Sequence, residues 1–171
     1  MSVEIPVSNS DLFYQYLDTC KGEVKSRSTE GYYHVDVVAE AYNKGFSDGK
    51  ESGKSEFLNL IVSNEVEKFT QKANQIYILS KNVISYLEEK DYKVSGLYIN
   101  LSPGRPCVII SVSNEFLNDD SFVETAYSKI YENKGIFTKL FNEPLDIGFL
   151  SSDNLDEALL REDGFGYIEK Y

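Results

Sequence analysis

The sequence is poor in the residues that most often carry catalysis or bind metals. It has one histidine, His34, two widely separated cysteines, Cys20 and Cys107, and no tryptophan. General-base chemistry commonly uses histidine, but the flanking Tyr33 and Val35 favour a structural or exposed role for His34. Two isolated cysteines indicate reduced thiols, and one histidine with two cysteines does not readily complete a zinc site. We therefore expect no catalytic residues, no metal site and no cofactor.

Long apolar runs are also absent. The longest, such as residues 108–110, are far shorter than the roughly 20 residues that span a bilayer. The N-terminal MSVEIPVSNSDLF has neither the basic nor the apolar region of a signal peptide. We therefore expect a cytoplasmic protein without membrane contact. Hydrophobic residues make up 42% and aromatic residues 13% of the chain, which is enough for a folded core.

Positive charge is scarce, and negative charge is concentrated towards the C-terminus. The net charge is −11, and residues 143–163 contain seven acids and a single base, Arg161. Such a surface repels phosphate backbones and anionic lipid, so we expect no direct nucleic-acid binding. The alternative to a binding role is that these acids only keep the protein soluble. The acids on or beside a short predicted helix are the candidate binding site for a protein partner, in particular a basic one: Asp153, Asp156, Glu157, Glu162 and Asp163.

The carboxylates of the same segment are also of the type that binds calcium. Residues 153–157, Asp-Asn-Leu-Asp-Glu, lack the alternating ligand spacing and the central glycine of a calcium loop. An acidic first turn with an N-cap is the simpler interpretation, because the helix dipole favours carboxylates there.

A long central helix is predicted over about 56–90, where the sequence contains neither glycine nor proline. Apolar residues recur there every seven positions, with a second set four residues after the first. One interpretation is a core helix with a broad apolar face, and the other is a dimerising coiled coil. The first set is Val62, Phe69, Ile76 and Val83, and the second is Val66, Ala73, Ser80 and Leu87.

Small residues recur before this helix at strict intervals of four: Ala41, Gly45, Gly49 and Gly53. If helical, they form a stripe that a second helix could approach, although three helical glycines cost about 3 kcal/mol relative to alanine. A flexible loop over residues 41–55 is the alternative. The segment from Gly49 to Ser55 also suggests a phosphate-binding loop, but its glycines are one residue too close and an acid precedes them.

The stripe, followed by a long helix and an α/β tail, resembles the stator proteins of flagellar and type III secretion ATPases. The resemblance covers Ala41 to Gly53 by motif and the rest of the chain by the order of its elements. It implies a dimeric scaffold without catalysis. The residues assigned to such an oligomer interface are Gly45, Gly49, Val62, Phe69, Ile76 and Val83.

The remaining segments predict an α+β fold. A helix is predicted over about 10–20 and a polar loop after it. Ser102-Pro103-Gly104-Arg105 predicts the turn of a β-hairpin over about 94–113. A helix is predicted over about 119–141, capped near Asp119 or Asp120, with Gly135 as a candidate break in it. Strands over about 145–150 and 165–170 flank a helix over 153–161, which suggests a small, largely antiparallel sheet packed by helices.

Two domain divisions are compatible with these elements. One has an N-terminal helix and glycine-repeat segment in residues 1–54, followed by the long helix and α+β domain in residues 55–171. The other is a single domain over 1–171.

The function expected from these features is that of a non-enzymatic intracellular protein–protein interaction or regulatory protein. Three alternatives remain. They are a dimeric, stator-like helical scaffold, an acidic inhibitor or nucleic-acid mimic that binds a basic partner, and a small enzyme with an unrecognised site.

Overall fold

A computed structural model describes residues 9–31, 51–103 and 105–171, with side chains for residues 9–25, 58–103 and 105–171. The chain divides into two compact units. One comprises the N-terminal residues through Tyr16 together with Lys72–Tyr171, and the other comprises Leu17–Gln71. The predictions for His34, Gly45 and Gly49 fall outside the described residues.

Two long helices precede the sheet. Helix α2 (Glu51–Glu88) confirms the predicted long helix and begins five residues before the expected position. Helix α1 (Asn9–Gly31) continues well past residue 20, so the prediction of a loop over KGEVKSRSTEG was wrong. That segment is polar, but it lacks proline and is rich in lysine, glutamate and arginine, which are good helix formers. An ion pair of 3.0 Å between Lys21 and Asp18, three residues apart, lies at its start.

Four strands form one sheet in the order β3-β2-β1-β4. Strands β1 (Val94–Asn100) and β2 (Cys107–Val112) are the predicted antiparallel hairpin, and the Arg105 amide donates to the Ser102 carbonyl oxygen at 3.3 Å in its turn. Strand β4 (Tyr167–Lys170) pairs antiparallel with β1. Strand β3 (Asp146–Ser151) pairs parallel with β2.

The sheet is therefore mixed, and the prediction that it is largely antiparallel was wrong. Two helices connect β2 to β3: the short α3 (Asn114–Leu117) and the 22-residue α4 (Asp120–Phe141). A helix of this length carries the chain back along the sheet, so the following strand runs in the direction of the preceding one. The alternation of apolar residues that predicts a strand does not specify its direction.

Helix α4 begins where the sequence predicted. The Asp119 side chain caps it by accepting a hydrogen bond from the Ser121 amide, and Asn142 ends it in the left-handed conformation, with φ 54°. The helix continues through Gly135, so the candidate break there does not occur. A single glycine costs only about 1 kcal/mol in a helix interior, which the packing of the rest of α4 offsets.

Directly paired residues point to the same side of a sheet, so the strand register shows which side chains lie on each of its two faces. We call the first the core face. Helix α2 contacts it through Tyr77, whose ring lies 6.0 Å from that of Tyr167, and α4 contacts it through Phe122, 5.3 Å from Phe149. The residues on this face are Leu97, Ile99, Val108, Ile110, Ile147, Phe149, Tyr167 and Glu169.

The opposite side, which we call the α5 face, is covered by the short helix α5 (Glu157–Glu162) and the turns beside it. Tyr98, Leu160 and Phe165 form a small buried cluster there. The residues that are only partly buried against this cluster are Cys107, Ile109, Leu155 and Ile168.

Candidate partner-binding surface

The acidic segment separates into carboxylates that hold the fold together and carboxylates that do not. Glu143 forms an ion pair with Lys72. Asp146 Oδ1 lies 3.6 Å from Lys134 Nζ. These two acids are thus neutralised in part by cations elsewhere in the same compact unit.

Two of the five predicted binding residues also have internal partners. The Asp156 carboxylate accepts hydrogen bonds from the Ala158 and Leu159 amides at 3.0 and 3.1 Å, so it caps α5. Glu157 Oε1 lies 2.7 Å from Lys170 Nζ. The helix accordingly begins at Glu157 and not at the predicted residue 153, and the Asp156 carboxylate is engaged as an N-cap.

The other three predicted binding residues, Asp153, Glu162 and Asp163, are exposed. No ion pair joins any of them to another described side chain. Their backbone is nevertheless fixed. The Asp153 amide donates to Ser151 Oγ at 3.1 Å, and the Asp163 carbonyl oxygen accepts from Asn100 Nδ2 at 2.9 Å. We call these three carboxylates the acidic surface, and they face solvent from anchored positions.

A different acid, Glu169, is buried and was missed by the sequence analysis. It is 3% exposed and accepts hydrogen bonds from Lys81 Nζ at 2.7 Å, Tyr167 Oη at 2.8 Å and Asn9 Nδ2 at 2.9 Å. Burial alone would raise the pKa of its carboxyl, but the hydrogen bonds from Lys81, Tyr167 and Tyr171 outweigh burial and lower that pKa below the usual range. Glu169 is therefore held ionised inside the fold.

Tyr167 joins this carboxylate to the start of α1. Its hydroxyl lies within hydrogen-bond distance of both Glu169 Oε2 and, at 3.0 Å, the Asn9 carbonyl oxygen. A hydroxyl has one proton, so it donates to one acceptor at a time. Its ring packs edge-on against Phe13, which stacks on Tyr77 with 4.3 Å between ring centroids. Burial and the hydrogen bond to Glu169 raise the pKa of Tyr167, which keeps the phenol protonated.

This cluster therefore acts as an anchor for the first turns of α1 on β4. The hydrogen bonds of Glu169 and Tyr167 are all made to other groups of the fold. The sequence did contain a sign of it, because strand alternation places Glu169 on the same side as Tyr167. An acid at an inward position of a strand requires buried donors.

The residues assigned to an oligomer interface are only partly accessible. Val62 and Phe69 are half-buried on α2. Ile76 and Val83 are 2% and 0% exposed in the core of their own chain. Of the four assigned residues on α2, only Val62 and Phe69 therefore keep surface that a partner helix could cover, and Leu60 on the same helix is 61% exposed.

The remaining chemical groups have ordinary surroundings. Cys20 and Cys107 are both half-buried, and burial is the main cause that raises the pKa of the Cys107 thiol. Across residues 9–31, 51–103 and 105–171, no group of three or more His, Cys, Asp or Glu is placed to hold a metal ion. No helix in these ranges is long and apolar enough to cross a membrane. The Arg105 side chain is 86% exposed at its turn.

Comparison with protein-family models, with curated proteins and with solved structures found no match to this chain.

Proposed function

We propose that this chain is a non-enzymatic protein–protein interaction or regulatory protein of the cytoplasm, which binds a basic protein partner through its acidic surface. One observation carries the proposal. Within residues 143–163, Glu143, Asp146, Asp156 and Glu157 have partners inside the fold, whereas Asp153, Glu162 and Asp163 have no ion pair among the described residues.

Three exposed carboxylates near one another in sequence create a negative field that the single base of the segment, Arg161, offsets only in part. Such a field steers a basic partner towards the surface and raises its association rate. Because the backbone of Asp153 and Asp163 is hydrogen-bonded, little backbone freedom remains to be lost at these residues when a partner binds. An inhibitor or nucleic-acid mimic that occupies a basic site would use the same surface.

Zero-length crosslinking tests this proposal directly. A carbodiimide couples carboxylates to lysine amines that touch them. Treatment in native lysate, followed by mass spectrometry, should join the peptide containing Asp153, Glu162 and Asp163 to lysines of one partner. Exposed acids elsewhere in the same compact unit, Glu89 and Glu124, serve as internal controls. Crosslinks spread equally over all exposed acids would mean that the acidic surface serves only solubility.

A homodimer on α2 is the second candidate, favoured by the exposed Leu60 and the half-buried Val62 and Phe69 on one helix. Sedimentation equilibrium at micromolar concentration should then give twice the 19.4 kDa mass of the chain. A monomer at that concentration would remove the scaffold hypothesis.

A further inference from the structure

Strand β3 lies at an edge of the sheet, and half of its backbone groups point away from β2. The Asp146 amide donates to the Pro106 carbonyl oxygen at 3.2 Å, and the Ser152 amide donates to the Val112 carbonyl oxygen at 2.8 Å. In a parallel ladder the residues that bond to one neighbour alternate along the strand. The amides and carbonyls of Ile147, Phe149 and Ser151 therefore point to the outer side, where no strand pairs with β3 in the described part of the chain.

The sequence of this strand lacks the features that usually protect such an edge. Natural edge strands carry lysine, proline or a bulge that prevents pairing with another chain. Strand β3 reads DIGFLS, has its one charge at its first residue and pairs with β2 without a register shift. Leu150 is 40% exposed on the α5 face, and Tyr127, also 40% exposed, lies 5.7 Å from the Phe149 ring. An added strand would meet apolar side chains beside the edge.

The charges at the two ends of the strand determine what kind of chain can pair there. Asp146 begins β3, and Asp153 follows it by two residues. If a second copy paired antiparallel about Phe149, Asp146 of each copy would lie opposite Ser152 of the other, one residue from Asp153. Like charges would meet at both ends, between chains that each carry a net charge of −11. A strand with basic residues at its ends has the complementary pattern.

We propose that the outer edge of β3 binds an extended, basic segment of the partner by β-strand addition. This inference rests on the proposed function, and it names the structure that the partner adopts and the backbone atoms that it meets. Backbone hydrogen bonds to residues 147, 149 and 151 supply the pairing, and alternate side chains of the added strand contact Leu150 or Tyr127.

Amide hydrogen exchange with two peptides tests the inference. The probe is a seven-residue peptide with lysine at both ends and alternating valine and threonine between them, and its matched control has glutamate in place of lysine. At saturating lysine peptide, the amides of Ile147, Phe149 and Ser151 should exchange at least about fivefold more slowly. The amides of Gly148 and Leu150, which point towards β2, should not change. This alternation along one strand is specific to edge pairing.

The outcomes separate the two proposals. If the lysine peptide binds but perturbs only the neighbourhood of Asp153, Glu162 and Asp163, edge pairing is overturned while the acidic surface remains supported. If both peptides protect the alternate amides equally, edge pairing stands and the basic character of the partner is wrong. If neither peptide protects these amides, the edge inference is wrong.

A pair of charge-adding variants provides a second test. Leu150→Lys adds a cation beside the edge and should weaken binding of the lysine peptide at least about fivefold. Ile78→Lys makes the same change at a side chain that is 57% exposed on α2, and should change the affinity less than about twofold. Equal effects of the two variants would show that the peptide does not bind at β3.

Discussion

The core face and the α5 face of the sheet differ in what covers them. The core face lies under two long helices, and its central residues Leu97, Ile99, Val108 and Ile110 have no exposed surface. The α5 face lies under a helix of six residues, and Ile109 and Cys107 remain half-buried there. The first face is therefore the more completely buried of the two. Beside the second lies the acidic surface that we propose as the partner-binding site.

The acidic side chains on the two sides of the sheet show the same contrast. On the core face, the buried carboxylate of Glu169 receives several donors. Beside α5, Glu162 and Asp163 receive none from a cation among the described residues. A charge that is buried must be paired to be tolerated, whereas an exposed charge costs little and remains available for a partner.

The largest effect is expected for Phe122→Ala in the core. Phe122 is completely buried and its ring contacts Tyr92, Phe116 and Phe149. Its truncation should lower the free energy of unfolding by about 3–5 kcal/mol. Tyr131→Ala on the same helix removes an aromatic ring that is 72% exposed, and should cost less than about 0.5 kcal/mol. Urea denaturation measures both, and similar losses would contradict the assignment of the core.

A smaller loss is expected for Glu169→Gln. The variant removes the charge that faces Lys81 and should destabilise the protein by about 2–3 kcal/mol at pH 7. Because the pKa of Glu169 is lowered in the folded state, this stabilisation is present above the unfolded pKa of about 4.3. It is lost as the pH falls through the folded pKa. The difference between wild type and variant should be constant from pH 7 to about 5 and shrink below about 4. A difference that grows on acidification would contradict an ionised Glu169.

The α5 face should respond more weakly still. Leu160→Ala opens the small cluster with Tyr98 and Phe165 and should cost about 2 kcal/mol, near the lower limit for a buried leucine. The neighbouring Leu159 is 54% exposed, so Leu159→Ala should cost less than about 0.5 kcal/mol. If Leu160→Ala lowered the free energy of unfolding as much as Phe122→Ala, the two faces would not differ in how tightly they are packed.

One substitution should stabilise the protein. A Cβ atom at Gly135 would meet no atom within 4 Å, and the helix there is regular. Gly135→Ala should therefore raise the free energy of unfolding by up to about 1 kcal/mol, or roughly 2–4 °C in Tm for a chain of this size. Calorimetry measures the change, and a lower Tm would mean that α4 needs glycine at this position.

Local sequence signals predicted the hairpin and helices α2 and α4, whereas they did not predict how elements distant in sequence pair. Proline and glycine at the turn over residues 102–105 determine the connection of β1 to β2, and the absence of breakers predicts α2. The parallel pairing of β3 depends on the path of α4, which no residue in β3 encodes. The polar end of α1 was misassigned because apolar periodicity, which it lacks, is only one determinant of helices.

The candidate site was predicted in part. Charge density alone located the acidic segment, but it did not distinguish Asp156, a helix cap, from Asp163, which is exposed without a cation partner among the described residues. That distinction depends on where the helix begins. The pairing of Glu157 likewise depends on Lys170, a residue that only folding brings to it. The outward direction of the β3 amides likewise depends on the register with β2.

The association rate of the crosslinked partner is the most direct test of the acidic surface. The variant Asp153→Asn/Glu162→Gln/Asp163→Asn removes three charges and spares the cap at Asp156 and the ion pair at Glu157. Its matched control, Glu88→Gln/Glu89→Gln/Glu124→Gln, removes three exposed charges on or beside α2 and α4.

At low salt, we expect the first variant to slow association about three- to tenfold with an unchanged Tm, and the control to slow it less than about twofold. The difference should vanish at 1 M salt, where the Debye length is about 3 Å. Equal rates for the two variants at low salt would contradict the account.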